Sequence, residues 1–266
     1  MIPRADIMEW RATGYPWKTD AMVEQDLIIS RLLVELFSEE SIAASLVFRG
    51  GTALHKLFIK KPLRYSEDID LVQREPGPIG SVFDAIHARC RDWLGEPKRK
   101  TGPSVATMSY KAESEDAPPL PLRIKIEIKT REHFPFLPID HKTFDVYSRW
   151  FEGSAAIPVC QINELLATKL RALFQRRKGR DLFDLATALR SLKVDAQKLV
   201  TTFEQYMEAE GHPISATNFR TNLLAKLEHP GFAQDCAPIL RPGIGFDLRI
   251  DFDLINRELL SLFTHQ

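Results

Sequence analysis

Three things are scarce in this sequence, and each scarcity removes a class of protein. Cysteine is the first: among 266 residues only Cys90, Cys160 and Cys236 are cysteine, far apart and in no metal-ligand spacing. That excludes a disulfide scaffold and a cysteine-based zinc site, and the simplest expectation is reduced thiols in a cytoplasmic protein. Excess charge is the second: 36 lysines and arginines balance 36 aspartates and glutamates. A chain without net charge has no global attraction to nucleic acid or membrane, so any polyanion must be bound by a local basic patch. Long apolar runs are the third. None approaches the ~20 residues that span a bilayer, and the first residues lack the apolar core of a signal peptide. No internal repeat or low-complexity tract is present either.

What remains is ordinary in bulk. The chain is 44% hydrophobic and 27% charged, which fits a soluble globular protein of one large domain or two modest ones. The pattern predicts a helix over Asp20 to Phe37, a strand over Leu46 to Arg49, a helix from Thr52 that Pro62 stops, and a strand over Asp68 to Gln73. A helix over Ile79 to Leu94 follows, and then a looser, strand-like stretch from Pro97 to Pro121. The clearest alternation is Leu122-Arg123-Ile124-Lys125-Ile126-Glu127-Ile128-Lys129. On a strand it sends the aliphatic residues to a core and leaves Glu127 as the one acid among three bases on the other face. After about residue 157 helical patterns take over: Gln161 to Arg176, Asp181 to Leu192, Ala196 to Ala209, Ser215 to Leu227 and Asp253 to Phe263. Strands followed by helices predict an α+β half over 1–157 and a mainly helical half over 158–266.

Two clusters carry chemistry. The first is Gly50-Gly51-Thr52 followed by Arg64-Tyr65-Ser66-Glu67-Asp68-Ile69-Asp70. Alone, the glycines are as well explained by a tight turn, and the two aspartates by a solvated strand end. In this order they point to a site for a nucleoside triphosphate (NTP) and its magnesium. Gly50 and Gly51 let backbone N–H groups approach phosphate, and Thr52 adds a hydroxyl. Arg64 and Ser66 are placed to contact phosphate oxygens. Asp68 and Asp70, at i and i+2, project from one face of a strand end and can share a hard cation, with Glu127 as a third carboxylate that bridges to a second ion or acts as base. His55, on the helix after Gly51, reads as a packing residue. The second cluster is Glu164 to Phe174 running into Arg176-Arg177-Lys178-Gly179-Arg180-Asp181-Leu182-Phe183-Asp184. Lys169 borders an apolar stripe; an ammonium there, held by a nearby acid, would stabilise charge on a leaving group. The plainer alternative is a solvated basic turn with Asp181 favouring a helix dipole.

FRGGTALHKLF, RYSEDIDLV, LRIKIEI and ELLATKLRALFQRRKGRDLFDLA together resemble the AbiEii/AbiGii-type abortive-infection nucleotidyltransferase toxins, within the DNA polymerase β-like nucleotidyltransferase superfamily. The likeness runs over nearly all of residues 20 to 240. It implies an α+β fold whose mixed sheet is flanked by helices, followed by a helical C-terminal domain that contributes the Lys/Asp motif. It also implies magnesium-dependent transfer of a nucleotide from an NTP, with the 3′ end of tRNA as acceptor, and an antitoxin as partner. Asp68 and Asp70 match the metal acids, Gly51 and Thr52 the glycine-plus-hydroxyl motif, Lys169 the essential lysine, and Asp181 and Asp184 the acids after it; Glu127 matches the third acid on the strand whose spacing varies most. Two other readings stay open: transfer to a protein or a small molecule, and a non-catalytic NTP-binding module.

Overall fold

The computed structural model describes residues 2–132 and 135–264, which form two compact units. One comprises the chain up to Pro135 together with Ile139–Cys160; the other comprises Phe136–Pro138 and everything from Gln161 on.

The first unit opens with α1 (Arg4–Thr13), α2 (Asp20–Phe37) and α3 (Glu40–Ser45), which lead into strand β1 (Leu46–Arg49). A short helix α4 (Gly50–Ala53) passes into a π-turn over Leu54–Phe58, and β2 (Asp68–Gln73) and α5 (Gly80–Leu94) follow. Strands β3 (Lys98–Thr101), β4 (Val105–Glu113), β5 (Pro121–Lys129), β6 (Ile139–Tyr147) and β7 (Glu152–Cys160) complete it. Among the described residues the strands form one seven-stranded mixed sheet in the order β3-β4-β5-β2-β1-β7-β6. The pairs β5–β2 and β2–β1 differ in sense: the first is parallel, the second antiparallel.

The alternation on β5 sorts as expected. Leu122, Ile124, Ile126 and Ile128 are buried, as are Ala106, Met108 and Tyr110 on β4 and Ile69 and Leu71 on β2. Each such aliphatic side chain contributes ~1.5–3 kcal/mol by leaving water. Helix α2 packs against β5, β6 and β7 and is buried nearly all round, with Glu24, Gln25, Asp26 and Ser30 inside along with Val23, Leu27 and Leu36. Thr19 caps it by accepting from Met22 N–H. His55 is buried, in keeping with a packing role.

The second unit is helical: α6 (Ile162–Gln175), α7 (Gly179–Ser191), α8 (Ala196–Ala209), α9 (Ala216–Leu227), α10 (Pro230–Gln234) and α11 (Leu248–Glu258). Phe219 gathers Phe174, Phe203 and Phe263 around it with ring centroids 5.4–5.8 Å apart. Gly179 starts α7 because nothing larger fits: a Cβ there would lie 2.0 Å from the Phe232 carbonyl oxygen. The last helix runs earlier than the Asp253 to Phe263 pattern predicts. Asp247 accepts from the N–H groups of Arg249 and Ile250 and so starts it at Leu248, and only a 3₁₀ turn covers Leu260–Leu262. No described helix is long and apolar enough to cross a membrane.

Candidate active site

On one face of the first unit's sheet, the residues left out of the core form a charged grid. Register partners share a face. One row reads Lys100, Thr107, Glu127, Asp70 and Arg49 across β3, β4, β5, β2 and β1. The next reads Lys98, Ser109, Lys125 and Asp68. Asp70 and Glu127 therefore stand on neighbouring strands, about 4.8 Å apart along the hydrogen-bonding direction, and Asp68 is two residues down the same strand face. Lys125 sits among them, with Nζ 3.0 Å from Asp68 Oδ2 and 3.4 Å from Glu127 Oε2. Burial works against its charge, but Asp68 and Glu127 prevail and raise its pKa above the ordinary lysine value. Lys129 adds a second ammonium 3.5 Å from Glu127.

Gly50 shapes this grid from the side. Its φ is +82°, in the region that favours glycine, and a Cβ there would fall 2.3 Å from Asp70 Oδ2. The backbone thus passes directly against the aspartate, with no room for a side chain between them. A Cβ on Gly51 would lie 2.5 Å from Arg64 Nη2 and 3.2 Å from Ser66 Oγ. Thr52 is buried, with its hydroxyl 2.9 Å from Ser66 Oγ and 2.5 Å from the Asp68 carbonyl. A hydroxyl has one proton, so Thr52 donates to the carbonyl and accepts from Ser66. Arg64 is buried and donates Nη1–H to the Tyr65 carbonyl. Thr52, Ser66 and Arg64 consequently brace the turn that carries the aspartates, and Gly50 and Gly51 supply its close approach.

Arg49 is a residue that the sequence reading left unassigned. It lies beside Asp70 in the register and pairs with Glu132 at 2.7 Å. Burial disfavours its charge, yet Glu132 above all and Asp70 in addition raise its pKa. Lys125 is the other residue so missed. Its position in the alternation shows the face it occupies, but which acids it meets depends on the β2–β5 register, and that offset is not written in either segment.

The site's fit to a divalent cation is tested by what stands there. The donors Asp68, Asp70 and Glu127 are all carboxylates, as a hard ion prefers, and the Lys125 ammonium already holds the place of a cation between two of them. Among the described residues no three His, Cys, Asp or Glu side chains are drawn together closely enough to hold one ion. As hard oxygen donors, the three carboxylates are of the type that magnesium takes.

In the second unit, Lys169 of α6 lies 2.5 Å from Asp184 Oδ2 and 3.7 Å from Asp181 Oδ1. Both aspartates are on α7 and fully buried. Asp181 also receives two hydrogen bonds from Arg176, at 2.7 and 2.8 Å. Nearby, Glu164 accepts from the N–H groups of Phe136 and Leu137 and from the Tyr206 hydroxyl. The first two bonds fasten the segment Phe136–Pro138 to α6, and the third ties α8 to the same carboxylate.

A family model described as the nucleotidyl transferase AbiEii toxin of type IV toxin–antitoxin systems matches residues 31–253. The chain belongs to the AbiEii nucleotidyltransferase toxin family. It is thus a nucleotidyltransferase and the toxin member of a toxin–antitoxin pair. Solved structures agree on the fold. MenT4, a nucleotidyltransferase toxin of Mycobacterium tuberculosis, superposes with a TM-score of 0.67 at 16% identity, over 99% of this chain and 89% of its own. JHP933 of Helicobacter pylori does so with a TM-score of 0.55 at 15% identity, over 92% of this chain and 94% of its own. No curated protein sequence matches. The AbiEii match extends across the charged grid and across α6 and α7, so both clusters fall within the family region.

Proposed function

We propose that this AbiEii-family toxin transfers a nucleotide from an NTP to the 3′ end of tRNA, with magnesium held by Asp68, Asp70 and Glu127. The observation that carries this reading is the contact of Gly50 with Asp70. A backbone stripped of side chain runs against a carboxylate that stands beside a second carboxylate, which is what a metal-bound polyphosphate requires on its two sides. In nucleotidyl transfer the acceptor hydroxyl bonds to the α-phosphorus, the α–β anhydride bond breaks, and pyrophosphate leaves. When bound, magnesium supplies charge neutralisation of the triphosphate and polarisation of its oxygens.

The chain's own residues do the rest. Gly50 and Gly51 let the backbone close against Asp70 and Arg64 and so set the position of the acid. Arg64, Ser66 and Thr52 hold the turn behind it. Glu127 takes the acceptor proton or adds a third ligand, and the pH profile of Glu127→Gln separates these roles. We assign to Lys169 the stabilisation of charge on the departing pyrophosphate, with Asp184 and Asp181 fixing its ammonium.

The test is direct. The protein is incubated with each labelled NTP and with separate RNA, protein and metabolite fractions. Label in tRNA with wild type and none with Asp70→Ala is the expected result. Equal labelling by Asp70→Ala refutes the site, and label confined to the protein or metabolite fraction refutes the acceptor.

A further inference from the structure

We propose that the open face of β3, β4 and β5 is the track along which the acceptor RNA backbone lies. This rests on the RNA acceptor read above and adds the surface that would hold it. Four cations define the track: Lys98 and Lys100 on β3, Lys111 on β4 and Arg123 on β5. All four are exposed, and among the described residues none has an ionic partner. The register puts them on one face. Lys98 stands opposite Ser109, Lys100 opposite Thr107, and Lys111 opposite Arg123. Ser109 and Thr107 in turn face Lys125 and Glu127, so the same sheet surface continues into the acid grid.

Distances suit a polynucleotide whose end reaches the acids. Lys100 is three strand spacings from Asp70, about 14 Å. Arg123 is four residues along β5 from Glu127, about 13 Å. The floor between is made of Thr107 and Ser109, short side chains that leave the track low. Glu113, at the far end of β4, is the acid of this strand on the same face.

A simpler account of Lys98 and Lys100 exists. Lysines on an edge strand ward off pairing with another chain, and β3 is an edge. That account leaves unexplained why Lys111 and Arg123, paired with each other on β4 and β5 beyond the ends of β3 and β2, share the face of Lys98 and Lys100. In a chain whose charges sum to zero, four unneutralised cations in one field, opening onto a metal-type acid site, select a polyanion. Arg99 supplies the internal contrast. It sits between the two lysines in sequence but points to the other side of the sheet, where it pairs with Asp84 of α5 at 2.6 Å.

The experiment measures binding of an unmodified tRNA transcript across a salt series, without NTP. Wild type should bind with an affinity that falls steeply with salt. Lys98→Ala/Lys100→Ala/Lys111→Ala/Arg123→Ala should bind at least about tenfold more weakly near 0.1 M salt, with a log–log slope lower by about 2–4. Arg99→Ala should bind like wild type. Circular dichroism and NTP binding, both unchanged in the quadruple variant, confirm its fold. Wild-type binding with an unchanged slope in the quadruple variant overturns the track while leaving the RNA acceptor standing. No RNA binding by wild type overturns both. Poly-glutamate bound as tightly as RNA, and lost in the same variant, makes the face a protein-docking surface and overturns the proposal.

Discussion

The two units each place a lysine between two acids, and the surroundings make them opposite kinds of object. On the sheet, the side chains of Lys125, Asp68 and Glu127 keep 23%, 36% and 26% of their exposure. Among the helices, those of Lys169, Asp181 and Asp184 keep 6%, 0% and 0%. Exposed ion pairs contribute ~0–1 kcal/mol because water competes for both charges. A buried pair contributes little net, yet breaking it leaves an uncompensated charge and costs ~3–5 kcal/mol. The sheet cluster can therefore be remade when a ligand arrives, and the helix cluster keeps its geometry.

Truncating the buried lysine is the sharpest way to break this contrast. Lys169→Met should destabilise the protein by ~3–5 kcal/mol in denaturant unfolding. Lys169→Met/Asp184→Leu should recover part of that loss; a double variant worse than the sum of the singles contradicts the buried-pair account. Gly50→Ala comes next. Its φ disfavours any side chain and its Cβ collides with Asp70, so the aspartate must move; a misplacement of ~1 Å lowers transfer by about 10²-fold. Activity within a factor of two of wild type sinks that prediction.

Lys226 sharpens the description of the helical unit. It is buried and donates to the carbonyls of Leu173 and Phe174 at the end of α6. Burial lowers its pKa to about 8, against the pull of Asp181. Between that value and the ordinary lysine range the unfolded chain binds more protons than the folded one, so wild type gains stability as pH rises through this window. Lys226→Met should lose ~1–3 kcal/mol from the two orphaned carbonyls, and the gap to wild type should widen as pH rises above about 8. A gap that stays constant contradicts the burial. The smallest effect is expected for Lys125→Met, within ~1 kcal/mol of wild type despite its acidic neighbours; a loss as large as that of Lys169→Met would erase the distinction between the clusters.

Much of this arrangement was readable from particular residues. Asp68 and Asp70 could be placed on one face because strand side chains alternate, and Glu127 followed from the alternation of β5. The helices α2, α8 and α9 follow their apolar periodicity. Strands β6 and β7 were not readable. Gly153, Ser154, Ala155 and Ala156 have weak strand preference, and their pairing with residues 143–146 is set by the fold. Short α1 was also missed, since only Asp6, Ile7 and Trp10 turn inward and too few apolar positions recur. Lys125 and Arg49 needed the register of three strands, which no local segment encodes.

The central claim is that the sheet acids hold a metal-bound triphosphate. Electron paramagnetic resonance of Mn²⁺, titrated into the protein with a non-hydrolysable NTP present, tests it most directly. The account predicts saturable Mn²⁺ binding by wild type that disappears in Asp68→Asn/Asp70→Asn while the fold persists. Mn²⁺ binding of equal strength in that variant would contradict it.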